Sequence, residues 1–312
     1  MFGNLPSTIY HMLGNLPSTI YHMLGNLPST ICNLQSATHY LDMGGPPTGP
    51  VLHLAPANGF PPESYQPLVA ALRPNLRAIG YRPRPLWPGS HPDEVHTWHD
   101  LACDLLRDLA TVSSAPVIGV GHSLGGILSL YAAVRHPERF RALVLLDPVI
   151  MPRPMLPLLW VMRRLGQHHR FPLAQGAARR RDHFSNVEEA RRRLQGRGAF
   201  AHFTPAALEG YLAGGLRPDP QGGYRLAWPR TWEAHIFALV PIDTWKALSR
   251  LQVPLMIIRG TKSDLMINST WRQLAQRLPQ AQFVDIPAGH MLPMEAPEAV
   301  ATALNQWLGK ST

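Results

Sequence analysis

Cysteine, lysine and long apolar runs are all scarce in this chain of 312 residues. The two cysteines, Cys32 and Cys103, are too few for a disulfide scaffold or a cysteine-rich metal site. No apolar run approaches the ~20 residues that a membrane-spanning helix needs, so we expect no membrane span. No basic residue precedes Arg73 and no apolar signal segment is present, so we expect no secretory signal and a cytoplasmic protein.

Positive charge is abundant but unevenly distributed. The formal net charge is +9, and only three of the 29 basic residues are lysine. Residues 151–244 contain fourteen arginines against seven acids, a surplus of seven positive charges in that segment alone. No zinc-finger spacing, basic zipper or RNA-binding aromatic motif accompanies this surplus. We therefore interpret it as a compositional bias towards arginine and expect no nucleic-acid partner.

An eleven-residue repeat fills the N-terminus. The sequence GNLPSTIYHML spans residues 3–13, recurs unchanged at 14–24 and begins a third time at residue 25. Each copy has one proline, which would break a continuous helix, and three such units are too short to stack as a solenoid. We predict that residues 1–35 form a poorly ordered tail, with a partner-binding or membrane-surface role as the alternative.

Beyond the tail, short apolar strands alternate with amphipathic helices. Apolar residues make up 45% of the chain, enough for a buried core. The alternation predicts an α/β fold with a mainly parallel sheet and helices on both faces. The α/β core is assigned to residues 36–150 and 246–312. Residues 151–245 interrupt the strand rhythm, and we predict a helical lid there, over the C-terminal edge of the sheet.

A nucleophile motif joins a predicted strand to a predicted helix. It reads Gly121-His122-Ser123-Leu124-Gly125. This context is typical of a serine held on a sharp turn, where small residues are needed because the two limbs pass close together. The Leu124 amide, at the helix N-terminus, would face a developing oxyanion. We predict Ser123 as nucleophile and Leu124 as oxyanion donor, with a serine in an ordinary turn as the alternative.

A nucleophilic serine needs a base and an acid that orients it. We predict His290 as the base, because its loop follows the last predicted strand and leaves the same sheet edge as Ser123. Two acids end strands at that edge, Asp264 and Asp147, and the chain order Ser, Asp, His fits both. We favour Asp264 because its loop, residues 260–264, has the length to reach a histidine. Asp147 is the alternative, expected to shape the junction with the lid.

The loop after the first core strand, residues 57–61, is the predicted source of a second oxyanion donor. Gly59 would let the backbone turn sharply, and Phe60 is the predicted donor of the second amide; a turn without a function is the alternative. Five residues are predicted to contact the substrate: Asn58, Gly59, His122, Trp228 and Trp232. For the two tryptophans the alternative is a place in the core of the lid.

With these motifs the chain resembles the α/β-hydrolase superfamily, in particular its capped serine hydrolases, over roughly residues 45–308. The resemblance rests on the nucleophile motif, a Gly-x-x-x-Asp loop at 260–264 and a Gly-His loop at 289–290. It implies an eight-stranded type of sheet and an acyl-enzyme route without a metal or organic cofactor. Asn58-Gly59 departs from the usual His-Gly pair, and the serine at position 123 argues against the aspartate-dependent epoxide hydrolases and dehalogenases.

The predicted function is that of a serine hydrolase that cleaves a carboxylic ester-type bond (ester, lactone or thioester) of a small acyl substrate. A cofactor-free haloperoxidase or perhydrolase, or a C–C bond hydrolase, is the alternative within enzymes. Outside enzymes, the alternative is a catalytically silent module whose arginine clusters, 179–181 and 191–193, bind an anion. Glu188 and Glu189 lie close in sequence and favour a solvated helix face for these arginines.

Overall fold

Ten strands, twelve α-helices and several short 3-10 helices are present in the computed structural model, which describes residues 39–309. The predicted tail at 1–35 and Cys32 lie outside the described residues. The strands are β1 (Tyr40–Gly44), β2 (Val51–Ala55), β3 (Arg77–Tyr81), β4 (Val117–His122), β5 (Phe140–Leu146), β6 (His183–Phe184), β7 (Leu216–Pro218), β8 (Tyr224–Leu226), β9 (Leu255–Gly260) and β10 (Gln282–Ile286).

The α-helices alternate with the strands of the core, as the sequence pattern predicts, and also fill much of residues 151–245. They are α1 (Gln66–Ala70), α2 (Trp98–Val112), α3 (Leu124–Arg135), α4 (Leu156–Arg164), α5 (Pro172–Ala178), α6 (Val187–Leu194), α7 (Pro205–Gly215), α8 (Arg230–Ala238), α9 (Thr244–Leu248), α10 (Asn268–Arg277), α11 (Leu292–Glu295) and α12 (Pro297–Leu308). Helix α2 illustrates the local signals: Thr97 and Asp100 form a capping box at its start, and Leu101, Leu105 and Leu109 share its buried face.

The main sheet has seven strands in the order β1-β3-β2-β4-β5-β9-β10. All neighbouring strands run parallel except β1, which is antiparallel to β3. The predicted α/β class and the mainly parallel sheet are confirmed. Within residues 39–309 the sheet has seven strands, one fewer than the eight-stranded type that the resemblance implies.

Helices cover both faces of the sheet, and each strand contributes side chains to both. In β5, Leu143 and Leu145 belong to the hydrophobic cluster that includes α2 and α3, whereas Val144 and Leu146 belong to the cluster that includes α12. Successive side chains on a strand point to opposite faces, so a strand covered on both faces is apolar throughout. The continuous apolar runs that predicted the strands have this cause.

The central strands end together at one edge. His122 of β4 pairs with Leu146 of β5, and Leu146 pairs in turn with Ile258 of β9. On the other side of β4, Gly121 pairs with Ala55 of β2. The residues that follow β2, β4, β5 and β9 therefore meet at the carboxyl edge of the sheet, where open α/β sheets bind their ligands.

Residues 151–245, the insertion segment, contain helices α4–α8 and a small antiparallel sheet in the order β6-β8-β7. The helices were predicted, but these strands of two or three residues are too short for a pattern to indicate. The segment lies against the carboxyl edge: the Asn58 amide group donates to the Glu233 carbonyl at 3.0 Å, and the Thr204 amide donates to the Met294 carbonyl at 2.9 Å. Within residues 39–309, no helix has the length and apolar character to cross a membrane.

Candidate active site

Ser123 lies at the sharp bend between β4 and α3. Its backbone has φ 53° and ψ −114°, in a region that side-chain-bearing residues rarely adopt. The Ser123 amide donates to the Leu146 carbonyl at 3.0 Å, which holds the bend against β5. The side chain is therefore fixed at the carboxyl edge of the sheet by the backbone itself.

The glycines on either side of Ser123 are required by close backbone contacts. A Cβ at Gly121 would lie 2.4 Å from the Gly125 carbonyl oxygen, and one at Gly125 would lie 2.1 Å from the Ala55 carbonyl oxygen. The Gly125 amide donates to the Pro56 carbonyl at 3.1 Å and ties the bend to the loop after β2. Both approaches are too close for any side chain, so the spacing of the motif follows from packing.

The structure brings His290 between Ser123 and a buried carboxylate. The His290 Nε2 atom lies 3.1 Å from Ser123 Oγ, and His290 Nδ1 lies 2.6 Å from Asp147 Oδ2. Asp147 is fully buried, whereas the His290 side chain retains 24% exposure. A hydroxyl, an imidazole and a carboxylate in this linear order are the arrangement needed to activate a serine and to orient its base.

The preference for Asp264 is wrong, because Asp264 is exposed and Asp147 is the acid that contacts His290. The strand order explains the difference. Strand β5 lies beside β4 in the sheet, so the residue after β5 emerges next to Ser123. The Asp147 amide continues the ladder to the Ile258 carbonyl at 2.7 Å, and its φ of 40° turns the side chain out of the strand direction.

The loop after β9 still contributes to this acid, through other residues than Asp264. Ser263 Oγ donates to Asp147 Oδ2 at 2.5 Å, and the Gly260 amide donates to Asp147 Oδ1 at 3.1 Å. Together with His290, three donors therefore satisfy the oxygens of the buried carboxylate. Sequence reasoning missed Ser263, and the signal that could have found it was its place directly before Asp264 in the Gly-x-x-x-Asp loop.

Two of the candidate site residues have a positive φ. Within residues 39–309, the non-glycine residues with positive φ are Ser123 and Asp147. Such conformations cost of order 1–3 kcal/mol each and persist only where the surrounding structure holds them. In this chain they occur at the hydroxyl and the carboxylate that flank His290.

The two amides predicted to bind the oxyanion, those of Leu124 and Phe60, differ in whether they already have a hydrogen-bond acceptor. The Leu124 amide is the first of helix α3 and so has no acceptor within the helix. The Phe60 amide donates to the Ala57 carbonyl at 3.2 Å, closing the turn in which Gly59 has φ 85°. The sharp turn predicted at Gly59 is present. Phe60 can serve an oxyanion only by giving up, or sharing, this weak turn bond.

A buried ion pair from the insertion segment lies over the same turn. A Cβ at Gly59 would lie 3.0 Å from the carboxyl carbon of Glu233. Glu233 Oε2 accepts from Arg180 at 2.8 Å, and Arg180 also donates to the Tyr211 hydroxyl at 2.7 Å. Asn58 is buried beside them, and its Oδ1 atom has no hydrogen-bond partner among the described residues. Asn58 and Gly59 thus lie in the turn that ends at the Phe60 amide, and contact with a substrate stays a prediction for both.

His122 is engaged inside the protein, so the prediction that it contacts the substrate is wrong. The Ala57 amide donates to the Tyr65 hydroxyl at 2.8 Å, and that hydroxyl donates to His122 Nδ1 at 2.8 Å. His122 Nε2 then donates to the backbone carbonyl of His290 at 3.0 Å. Burial, with the nearby His290, holds the pKa of His122 well below its usual value, so the ring stays neutral.

Trp228 and Trp232 are buried. Both are 2% exposed, in a hydrophobic cluster that contains Leu124 and other residues of α2 and α3 as well as residues of the insertion segment. Contact with a substrate stays a prediction for both.

The arginine clusters of the insertion segment are largely paired with acids. Arg181 and Arg193 contact Glu189, and Arg191 contacts Glu188 and Glu209. These pairs make an ion-paired helix face at 191–193, as Glu188 and Glu189 indicated. These pairs favour a solvated helix face over the anion-binding alternative, whereas Arg179 and Arg192 have no acid partner among residues 39–309.

The comparisons with known proteins agree with the fold. A family model described as the alpha/beta hydrolase fold matches residues 71–297. The chain is 27% identical over 204 residues to Lipase LipV of Mycobacterium tuberculosis, covering 62% of this chain and 69% of the lipase. It is 27% identical over 247 residues to a poly(3-hydroxyalkanoate) depolymerase of Ectopseudomonas oleovorans, covering 78% of each chain.

A solved structure extends the likeness to most of the described residues. The crystal structure of E-2-(acetamidomethylene)succinate hydrolase superposes with a TM-score of 0.70 at 21% identity, and the match covers 86% of this chain and 98% of that one. Identity this low supports the fold alone. Because the family model matches well over half of the sequence, the chain belongs to the α/β-hydrolase fold family.

Proposed function

We propose that this protein is a serine hydrolase that cleaves a carboxylic ester-type bond (an ester, lactone or thioester) through an acyl-enzyme intermediate. The observation that carries the proposal is the line of contacts from Ser123 Oγ through the His290 ring to Asp147, at 3.1 Å and 2.6 Å. The relatives named a lipase and a depolymerase support hydrolysis as the class of reaction.

Acylation begins at the serine hydroxyl. His290 Nε2 accepts the proton of Ser123 Oγ as that oxygen bonds to the acyl carbon, and Asp147 accepts the Nδ1–H bond and stabilises the imidazolium. The oxyanion faces the Leu124 amide and the positive end of helix α3. His290 then returns the proton to the leaving group, and the acyl group stays on Ser123.

Deacylation repeats these roles with water. His290 takes a proton from the water that attacks the acyl carbon, and the Ser123 oxygen leaves with that proton. The Phe60 amide adds a second donor once it exchanges its bond to the Ala57 carbonyl for the oxyanion. A single oxyanion donor is typically worth ~3–4 kcal/mol of transition-state stabilisation.

The proposal is tested with a fluorophosphonate probe and p-nitrophenyl esters of graded chain length. The wild type is expected to form an adduct at Ser123 and to hydrolyse at least one ester, and Ser123→Ala to lose the adduct and about 10⁴-fold or more of kcat. Ser129→Ala is the matched control, since Ser129 is a fully buried serine in helix α3 away from the bend. An unlabelled wild type, or full activity in Ser123→Ala, would refute the proposal.

A further inference from the structure

The insertion segment carries an unusual concentration of exposed apolar side chains. Seven large apolar residues are exposed in the described part of the chain, and one of them, Ile267, lies outside the insertion segment. The other six lie within nineteen residues of one another in that segment: Met155, Leu158, Trp160, Val161, Leu165 and Leu173. Apolar side chains scattered singly over a surface need no explanation, whereas a cluster marks an interaction site.

Helix α4 turns an apolar face to solvent. Leu159 is its buried side chain, and Leu158, Trp160 and Val161 around it are 59%, 52% and 42% exposed. Leu165, directly after the helix, is 67% exposed and follows Leu158 and Val161 at helical spacing. We call these four exposed residues (Leu158, Trp160, Val161 and Leu165) the α4 face. Each of these four residues keeps between 42% and 67% of its surface exposed among the described residues.

The segment that carries the α4 face has charges of one sign. Residues 151–181 contain seven arginines and no aspartate or glutamate. Arg163 donates to the carbonyls of Leu239 and Val240, and Arg180 and Arg181 pair with acids farther along the chain. The other four are exposed, and none of them has an ion-pair partner among residues 39–309: Arg153, Arg164, Arg170 and Arg179.

The aromatic residue of the α4 face lies beside one of these free charges. The Arg164 guanidinium lies 5.5 Å from the centre of the Trp160 ring. Tryptophan favours the boundary between water and lipid, because its ring is largely apolar and its N–H is polar. Arginine binds phosphate oxygens through its planar fork of donors. An indole and a guanidinium side by side therefore match the two layers of a phospholipid surface.

We infer that the α4 face docks on an anionic lipid bilayer, with Leu158, Val161 and Leu165 entering the interface and the free arginines contacting lipid phosphates. Charge decides between the candidate partners. A second copy would bring the same cationic face against itself, and residues 1–38 contain no acidic residue that could pair with the arginines. An anionic membrane would bury the apolar side chains in its interface and would pair the four arginines with lipid phosphates.

The test is sedimentation of the full chain with vesicles. We expect binding to vesicles of phosphatidylcholine and phosphatidylglycerol at low salt, weak binding to pure phosphatidylcholine, and loss of binding as salt is raised. Each free arginine contributes about fivefold to partitioning, so Arg164→Gln with Arg170→Gln should weaken binding by about 25-fold. Leu158→Gln with Leu165→Gln should weaken it at least tenfold.

Matched controls separate this face from the rest of the surface. Ile267→Gln removes an exposed apolar side chain and Arg272→Gln an exposed arginine, both on or beside helix α10, and both should bind as the wild type does. Circular dichroism checks that each variant is folded, and Leu165→Gln alone replaces the double variant if that one unfolds. The readout needs no enzymatic activity, so its failure is distinct from failure of the proposed function.

Three results would overturn the inference. The first is a wild type that does not sediment with anionic vesicles at low salt. The second is vesicle binding that both double variants retain, which would assign it to another segment. The third is a concentration-dependent dimer in analytical ultracentrifugation that Leu158→Gln with Leu165→Gln abolishes, without vesicle binding, which would make a second copy the partner.

Discussion

The ring of His122 supports the backbone of His290, its Nε2 atom donating to that residue's carbonyl at 3.0 Å. The bond joins the residue before the proposed nucleophile to the loop of the proposed base. The Tyr65 hydroxyl donates to the other ring nitrogen and accepts from the Ala57 amide. These hydrogen bonds therefore join the loop after β2, the end of β4 and the His290 loop at the carboxyl edge. We propose that His122 and Tyr65 position the His290 loop, and neither belongs to the line of contacts from Ser123 through His290 to Asp147.

The Tyr65 hydroxyl is the central group of this series of hydrogen bonds, so its removal should break two of them. In Tyr65→Phe the Ala57 amide and His122 Nδ1 lose their partners, so we expect a loss of ~1–3 kcal/mol in the free energy of unfolding. We also expect kcat for a soluble ester to fall about tenfold with a smaller change in KM, since His290 loses support. Urea denaturation and steady-state kinetics measure both.

Tyr81→Phe is the matched control for that prediction. Tyr81 is a fully buried tyrosine in β3, and its hydroxyl has no hydrogen-bond partner among the described residues. Its removal should leave kcat unchanged. Equal losses of kcat in the two variants would contradict the positioning role of Tyr65.

A comparison of kcat in Asp147→Asn and Asp264→Asn tests which of the two candidate acids orients His290. Asp147→Asn should lower kcat by about 10⁴-fold, because the His290 ring loses the carboxylate that orients it and stabilises its charge. Asp264→Asn changes an exposed side chain and should retain wild-type kcat. Ester hydrolysis by both purified variants measures the difference, and the reverse order of activities would contradict the assignment.

Packing at the bend predicts that Gly125 tolerates no side chain. In Gly125→Ala the new Cβ would lie 2.1 Å from the Ala55 carbonyl oxygen, so we expect a strongly destabilised or unfolded protein. Gly176→Ala in helix α5 meets no atom within 4 Å and should raise stability by about 0.5–1 kcal/mol. Thermal melts of the two variants test the contrast, and a stable Gly125→Ala would refute the close packing.

Acid should destabilise the fold through His53. Burial lowers the pKa of His53 from 6.5 to about 4, so between these values the unfolded chain binds a proton that the folded chain excludes. Stability is therefore retained above pH 6.5 and falls as the pH drops towards 4, by roughly 3 kcal/mol from this residue. Urea denaturation measures the free energy of unfolding at each pH in that range. In His53→Gln this free energy should fall less steeply with decreasing pH than in the wild type, so the slope of the plot against pH is shallower.

An exposed histidine provides the control for the pH experiment. The His91 side chain is 69% exposed, so His91→Gln should keep the wild-type slope. His122 is buried too, and its lowered pKa leaves part of the slope in His53→Gln. An unchanged slope in His53→Gln would show that His53 is not responsible.

Local patterns predicted much of the fold, because their causes are local. Apolar runs in β4, β5 and β9 reflect a sheet covered on both faces, and the glycines around Ser123 reflect a bend that any nucleophile motif of this type requires. The short strands β6, β7 and β8 escaped prediction, since two or three residues show no period.

The sequence by itself determined the α/β class, the bend at Ser123 and the histidine loop at 290, since strand, turn and helix signals lie within a few residues of each. Only the tertiary structure decided that Asp147, and not Asp264, meets His290, because this depends on β5 lying between β4 and β9. It also decided that His122 faces inwards to Tyr65 and that the α4 face points outwards. Contacts between residues far apart in the chain are set by strand order and packing, which no short stretch of sequence encodes.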